Sequence, residues 1–298
     1  MTAANGVAAG SGAAVGLSLA SAAIWGTSDF VGGIAARRLP SPAVVTLSHS
    51  LSLAVLVTLA LVHASTWPDT RSAVYGALAG LACGTGVMVL YKALAMGGMG
   101  LTAAVSGVLA AVMPVLWAFS TEGLPRLPQV AGIVLAAAAI WMIARAPGSP
   151  SSKQAILLGA AAGGSFGCLY IFLKLAGRGG VLWPLACSRM ASTVLAASVT
   201  WIGTRHKSGP GSESAPFRWW PGWTVAGLIG MAGVFDASGN TFYTVATRLG
   251  RLDIAAVLSS LYPAATIVLA ALLLKERTTL SQAAGMALAL IAVVLISV

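Results

Sequence analysis

An all-α integral membrane protein, with ten transmembrane helices arranged as two inverted five-helix repeats, is the fold this 298-residue sequence predicts. Three observations lead there: a shortage of charge, ten apolar runs of spanning length, and two halves that align with each other. Only 8% of the residues are charged, against 58% hydrophobic. A soluble domain carries about 25% charged residues, so a water-facing surface cannot be assembled from this supply. Most of the surface must face lipid.

The second observation comes from length. A bilayer core about 30 Å thick takes roughly 20 apolar residues per helix. Breaks at charges and at Pro/Gly-rich stretches divide the chain into spans at 14–36, 41–63, 73–95, 99–120, 128–146, 155–176, 182–203, 222–246, 252–274 and 279–297. These runs are too long and continuous for barrel strands, which leaves helices as the structure that satisfies its own backbone in lipid. Residues 1–13 read as a polar tail without the positive n-region of a secretory signal. Tight hairpins are expected at MGGMG and RLGRL. The longest connection, TRHKSGPGSESAPFRWWP over 204–221, is polar and ends in aromatics suited to the interface.

The third is internal similarity between 14–148 and 149–298. Tyr91 and Tyr243 lie 152 residues apart, as do Ala103 and Ala255. Glu122, Gln129 and Gly132 face Glu276, Gln282 and Gly285 at separations of 154, 153 and 153. Trp25-Gly26 corresponds to Phe166-Gly167, Arg37 to Arg178, and Pro114 and Pro263 fall in the same helix of each half. Five spans per half is an odd number, so the second copy must enter the membrane upside down. Inverted repeats are the architecture of secondary carriers, with a substrate site near the midplane between the halves. A tally of Lys and Arg favours an outside N-terminus, six residues on the alternate loops against ten.

Other chemistries find little support. Cys83, Cys168 and Cys187 all lie in apolar runs, giving neither a disulfide framework nor metal-ligand spacing. With no zinc or Walker-type motif, no metal and no cofactor is expected. The net charge of +10 is dispersed in short clusters between spans, a topogenic pattern rather than a nucleic-acid surface. Ser48 and His49 are neighbours, but no G-x-S-x-G elbow accompanies them. An intramembrane hydrolase is therefore a remote alternative, and no catalytic residue is assigned. Rings of like charge, which would suit a channel, are absent.

Two stretches, WGTSDFVGGIAARR in the first span and SSLYPAATIVLAALLLKERTTLSQAAG across the last two, resemble the EamA branch of the drug/metabolite transporter superfamily. SGVLAAVMP and STEGLPRLPQVAG form a degraded first-half copy of the second. The resemblance implies a ten-helix secondary carrier for small metabolites, amino acids among them, in the cytoplasmic membrane with both termini on its inner side. It also implies an arginine early in the second helix of each half. Arg189 fits, whereas His49 stands at the other position.

Ionisable residues inside a membrane are functional candidates because each costs on the order of 2.5–3.5 kcal/mol at mid-helix. Here they are Asp29, His49, Lys92, Lys174, Arg189 and Asp236. Lys92, Lys174 and the Arg37-Arg38 pair are expected to reach the headgroups, and Glu122 and Glu276 to pair with neighbouring cations. Ser18, Ser21, Trp25, Ser28 and Gly32 step along one helical seam, which Asp29 borders. Gly233, Asp236, Asn240, Tyr243 and Thr247 form a second polar stripe. The expected substrate-binding set is Trp25, Ser28, Asp29, Met88, Tyr91, Phe166, Tyr170, Asp236, Asn240, Tyr243, Ser259 and Tyr262, with Ser260 beside them. Asp29 and Asp236 are the candidates for coupling, and Pro114 and Pro263 for gating. The partners implied are the lipid bilayer and a small amphipathic solute, such as an exported amino acid, with a sugar or nucleobase taken up as the alternative. Tyr170 stands where the symmetric counterpart of Asp29 would be, so the scaffold itself does not require the acid.

Overall fold

A computed structural model describes residues 2–96, 99–122, 127–144, 152–207, 222–250, 252–275 and 280–297. All regular structure among them is helical: α1 (Thr2–Ala35), α2 (Ser41–Val62), α3 (Thr70–Ala95), α4 (Met99–Glu122), α5 (Leu127–Ala144), α6 (Ser152–Ala176), a 3-10 turn (Gly177–Gly179), α7 (Leu182–Lys207), α8 (Trp223–Leu249), α9 (Leu252–Ser259), α10 (Tyr262–Leu273) and α11 (Leu280–Ser297). The alanine-rich, proline-free start of the chain joins α1 rather than standing apart from it. Most of the polar loop 204–221, and the side chains of Glu122 and Glu276, lie outside the described residues.

Six described segments are long and apolar enough to cross a membrane: Gly12–Ala35, Ser41–Val62, Thr70–Ala95, Lys153–Gly179, Leu182–Arg205 and Ala255–Leu273. Helix α8 is long enough but carries Asp236, Asn240, Thr244 and Thr247, all buried, along one face. Its polar atoms face protein while Met231 and Val234 point outward. Leu61, Val62, Leu157, Val194 and Leu272 are likewise well exposed. Such a surface suits hydrocarbon and not water.

The span expected at 252–274 is in fact two helices. Pro263 has no N–H to give the Ser259 carbonyl, and it sits in the first turn of α10, where that loss is tolerated. Between the helices, Leu261 N–H donates to Leu258 O at 3.2 Å, a tighter turn than the α-helix makes. Pro114, by contrast, remains inside a continuous α4. The two prolines expected to act alike therefore do different things locally.

The helices of the first half pack mainly on those of the second. Ser21 and Ser28 of α1 donate to Gly239 O and Ala232 O of α8, each at 2.9 Å. Two turns forward on one helix meets two turns backward on the other, so the pair is antiparallel. Along its other side α1 runs parallel to α9 and α10: Ser259 donates to Ser18 O at 3.3 Å and Thr266 to Gly26 O at 2.9 Å. Hydroxyls given to carbonyls across a crossing satisfy themselves where no water reaches.

Glycine permits two closer seams. Gly76, Gly80 and Gly84 of α3 face Pro184, Ser188 and Ser192 of α7, and a β-carbon on Gly80 would lie 2.0 Å from Ser188 O. Gly159, Gly163 and Gly167 of α6 do the same against Thr102, Ser106 and Ala110 of α4, with Met113 also against Gly167. The matching four-residue steps show that each pair is parallel. Helix α2 crosses α7 in the opposite sense, through Thr46 with Thr200 and His49 with Ser192.

Candidate functional site

Small residues bring α1, α3, α6, α8 and α10 close enough to enclose a central cavity of about 30 Å³, room for no more than a couple of waters. Trp25 and Asp29 reach it from α1, Cys83 and Val87 from α3, Phe166, Leu169 and Tyr170 from α6, Asp236 from α8 and Tyr262 from α10. Two wider recesses, about 370 Å³ and 380 Å³, open at opposite ends of α8. Arg248, His63 and Trp183 mark one, and Arg38 with Trp223 the other. Their size does not make them the centre of the chemistry, because the buried charges surround the small cavity.

Aromatic rings fill much of the interior. Trp25 stacks on Tyr170 with ring centres 5.7 Å apart, and Tyr170 stacks on Tyr243 at 4.8 Å. Phe166 meets Tyr262 edge-on at 6.0 Å. Offset and edge-on pairs suit the ring quadrupoles, so the rings hold one another in place and leave the cavity small.

Beside the cavity lies a buried cluster of charge. Arg189 of α7 is fully buried and its Nη1 donates to Asp236 Oδ2 at 2.6 Å. The same nitrogen reaches His49 Nε2 at 3.3 Å, and Nη2 reaches Cys83 Sγ at 3.4 Å. His49 Nδ1 lies 2.7 Å from Ser192 Oγ, which donates to Arg189 O at 3.1 Å. With the serine proton committed to that carbonyl, Nδ1–H donates to Ser192 and Nε2 is left as an acceptor. The loop thus closes with a neutral histidine. Asn240 donates to the other oxygen, Asp236 Oδ1, at 3.0 Å. Both oxygens of Asp236 are therefore engaged.

His49, Cys83 and Asp236 offer ligand atoms within 4.8 Å of one another. The donor set alone would suit a transition metal. However, the Arg189 guanidinium already sits among all three, so the cation of this cluster is the protein's own.

Asp29 is different. It is 8% exposed, borders the cavity, and has no hydrogen bond or ion pair among the described residues. The one guanidinium is matched by Asp236, and Asp29 has no cation beside it among the described residues.

Of the expected binding residues, Trp25, Asp29, Phe166, Tyr170, Asp236 and Tyr262 border the cavity. The other six do not. Ser28 and Ser259 are committed to carbonyls across helix crossings. Tyr91 packs against Gly32, with its hydroxyl 3.4 Å from Ser28 O. Tyr243 lies behind Tyr170, donating to its carbonyl at 3.2 Å, Asn240 braces Asp236, and Met88 packs against the core. Ser260 turns back to Ala256 O. Lys92 is exposed as expected, whereas Lys174 is part-buried and donates to Thr247 O at 2.6 Å. Arg189 and His49 stood out in the sequence as intramembrane ionisable groups. Their meeting with Asp236 depends on contacts that no local spacing records.

The EamA-like transporter family matches this chain twice, over residues 12–145 and again over 153–298. The chain belongs to the EamA-like transporter family. It is accordingly a multi-pass membrane protein of a transporter family, and the double match gives each half of the sequence one copy of the family unit. No curated protein matches the chain. Among solved structures, one crystal structure of a protein superposes with a TM-score of 0.68 at 15% identity, over 95% of each chain. At that identity the likeness speaks for the fold alone. In this EamA-family chain the cavity thus lies among helices contributed by both matched segments.

Proposed function

We propose that this EamA-family protein is a secondary active transporter of the cytoplasmic membrane, with ten spans in two inverted five-helix repeats. It exports a small amphipathic organic solute, such as an amino acid, by alternating access. The helix directions support the inversion. Helix α1 is antiparallel to α8, the third helix of the second half, while α3 and α4 run parallel to α7 and α6, the second and first. Each helix then opposes its counterpart.

One observation carries the functional reading: a small, aromatic-lined cavity among helices of both halves, bordered by an unpartnered carboxylate, with a wider recess towards each end. This arrangement suits a carrier with a narrow central site. Asp29 and Asp236 act in coupling, Asp29 by taking up a proton or a cationic group, Asp236 through its hold on Arg189. Proline-associated flexing at Pro114 and at the α9–α10 break accompanies opening.

Counterflow in proteoliposomes tests this. Vesicles preloaded with an unlabelled mixture of amino acids and amines should accumulate the labelled solute transiently and saturably through the wild type. Trp25→Ala should lower that flux roughly tenfold per folded molecule, the scale of losing aromatic contacts to a ligand. Flux that rises linearly with concentration and shows no counterflow would instead indicate a channel. In Pro263→Ala, the restored N–H favours a continuous helix through 260–263. Slower exchange with unchanged half-saturation is expected, and a wild-type rate would remove Pro263 from gating.

A further inference from the structure

The transporter reading leaves open which part of a solute the cavity recognises, and the inference here rests on that reading. We propose that the group recognised is an organic ammonium ion, held by the Asp29 carboxylate within the aromatic lining, and that a proton takes its place on the same carboxylate when the amine leaves.

Three features of the site lead to this. First, Asp29 borders the cavity, is more than nine-tenths buried and has no partner among the described residues. A lone carboxylate cannot stay ionised in such a place without a cation or a donor. Second, the aromatic rings of Trp25, Phe166, Tyr170 and Tyr262 border the same space. Aromatic carbon attracts cations, most strongly where water is excluded. Third, no cationic side chain borders the cavity. Arg189 does not line it, and both terminal nitrogens of its guanidinium are turned to Asp236, His49 and Cys83.

The groups facing Asp29 agree with a cationic ligand. From α8 comes Asp236, from α3 Tyr91 and Cys83, from α6 Tyr170 and from α10 Tyr262. All but Asp236 are uncharged phenols and a thiol. Asp236 is itself an acid, so the field at Asp29 gains no positive contribution from them. A hard metal ion is a poor occupant, since it needs several oxygen ligands and only one carboxylate here is free. The cavity volume of about 30 Å³ is headgroup-sized. An ammonium group fits, and the body of the solute enters as the rings part.

The chemistry distinguishes an amine from the amino acid of the same skeleton. An amino acid would bring its own carboxylate to a cavity lined by no cation and by one spare negative charge. Charge balance also makes the cycle an exchange. Amine binding to protonated Asp29 displaces one proton, and amine release on the other side lets one return. No bond to carbon changes.

Four probes separate these ideas: 2-phenylethylamine, phenylalanine, 3-phenylpropionate and 2-phenylethanol, titrated calorimetrically into the detergent-purified full chain. We expect 2-phenylethylamine to bind at least about tenfold more tightly than the other three. It should release protons in proportion to the protonated fraction of Asp29, and weaken as pH falls. Asp29→Asn should lose the preference for the amine, while Asp29→Glu, which keeps the charge, should retain it. Equal binding of the four probes, tighter binding of phenylalanine, or an amine preference that survives in Asp29→Asn would overturn the proposal. If Asp29→Asn does not fold, the wild-type ranking and Asp29→Glu still decide it. Vesicle counterflow separates this from the wider reading. Amine bound through Asp29 but no flux of any probe would sustain the ammonium site and defeat the transporter. Saturable counterflow of phenylalanine or phenylethanol with no amine preference would do the reverse.

Discussion

Arg189→Met should be the most destabilising single change near the cavity, lowering stability by about 3–5 kcal/mol. The guanidinium is fully buried and holds Asp236 at 2.6 Å. Removing it strands one carboxylate beside another and takes the donor from His49 Nε2. The same reasoning predicts a rescue. Replacing both members of a buried ion pair by apolar residues is often neutral or stabilising, so Arg189→Met combined with Asp236→Leu should recover most of the loss. Thermal unfolding of the purified proteins checks both, and equal midpoints for wild type and Arg189→Met would show that the cluster contributes nothing to stability.

Gly80→Leu should have an effect of similar size for a steric reason. Its β-carbon alone would lie 2.0 Å from the Ser188 carbonyl oxygen, and that contact is backbone, which cannot rotate away. Helices α3 and α7 must separate, and Ser188 immediately precedes Arg189, so the charge cluster shifts with them. Overpacking typically costs 1–3 kcal/mol, and here the displaced arginine adds to it. The expected result is a lower unfolding midpoint together with new reactivity of Cys83 towards a membrane-permeant maleimide, because Cys83 lies one turn from Gly80 and borders the cavity. A midpoint and a labelling rate matching the wild type would show that the seam has slack.

The outline of the fold was legible because lipid imposes one rule on every span: no backbone polar group goes unpaired. Run length and charge therefore placed the segments that became α2, α3, α6 and α7 within a few residues. The break before Tyr262 was less legible. A proline near a helix start and one inside a helix look alike in a string, and Pro114 and Pro263 differ only in what surrounds them. Around the site, periodicity put Trp25 and Asp29 on or beside the correct face. It did not distinguish a hydroxyl that meets a ligand from one that meets a carbonyl. Ser28 and Ser259 belong to the second kind, since both lie where helices cross too closely for a ligand. The Arg189–His49–Asp236 cluster joins positions 140 and 47 residues apart, a relation only tertiary contact creates.

The pairing of the helices changes what must count as a moving part. Glycine seams fasten α3 to α7 and α4 to α6, while the charge cluster ties α2, α3, α7 and α8 together. Each of these unions takes helices from both ends of the gene product. A boundary drawn near residue 148 divides the text of the protein but cuts across its bodies. Rocking of one sequence half against the other would tear both glycine seams, whereas sliding between mixed bundles leaves them intact. The family unit thus repeats along the sequence, while the tightest packing joins helices across the boundary between its two copies.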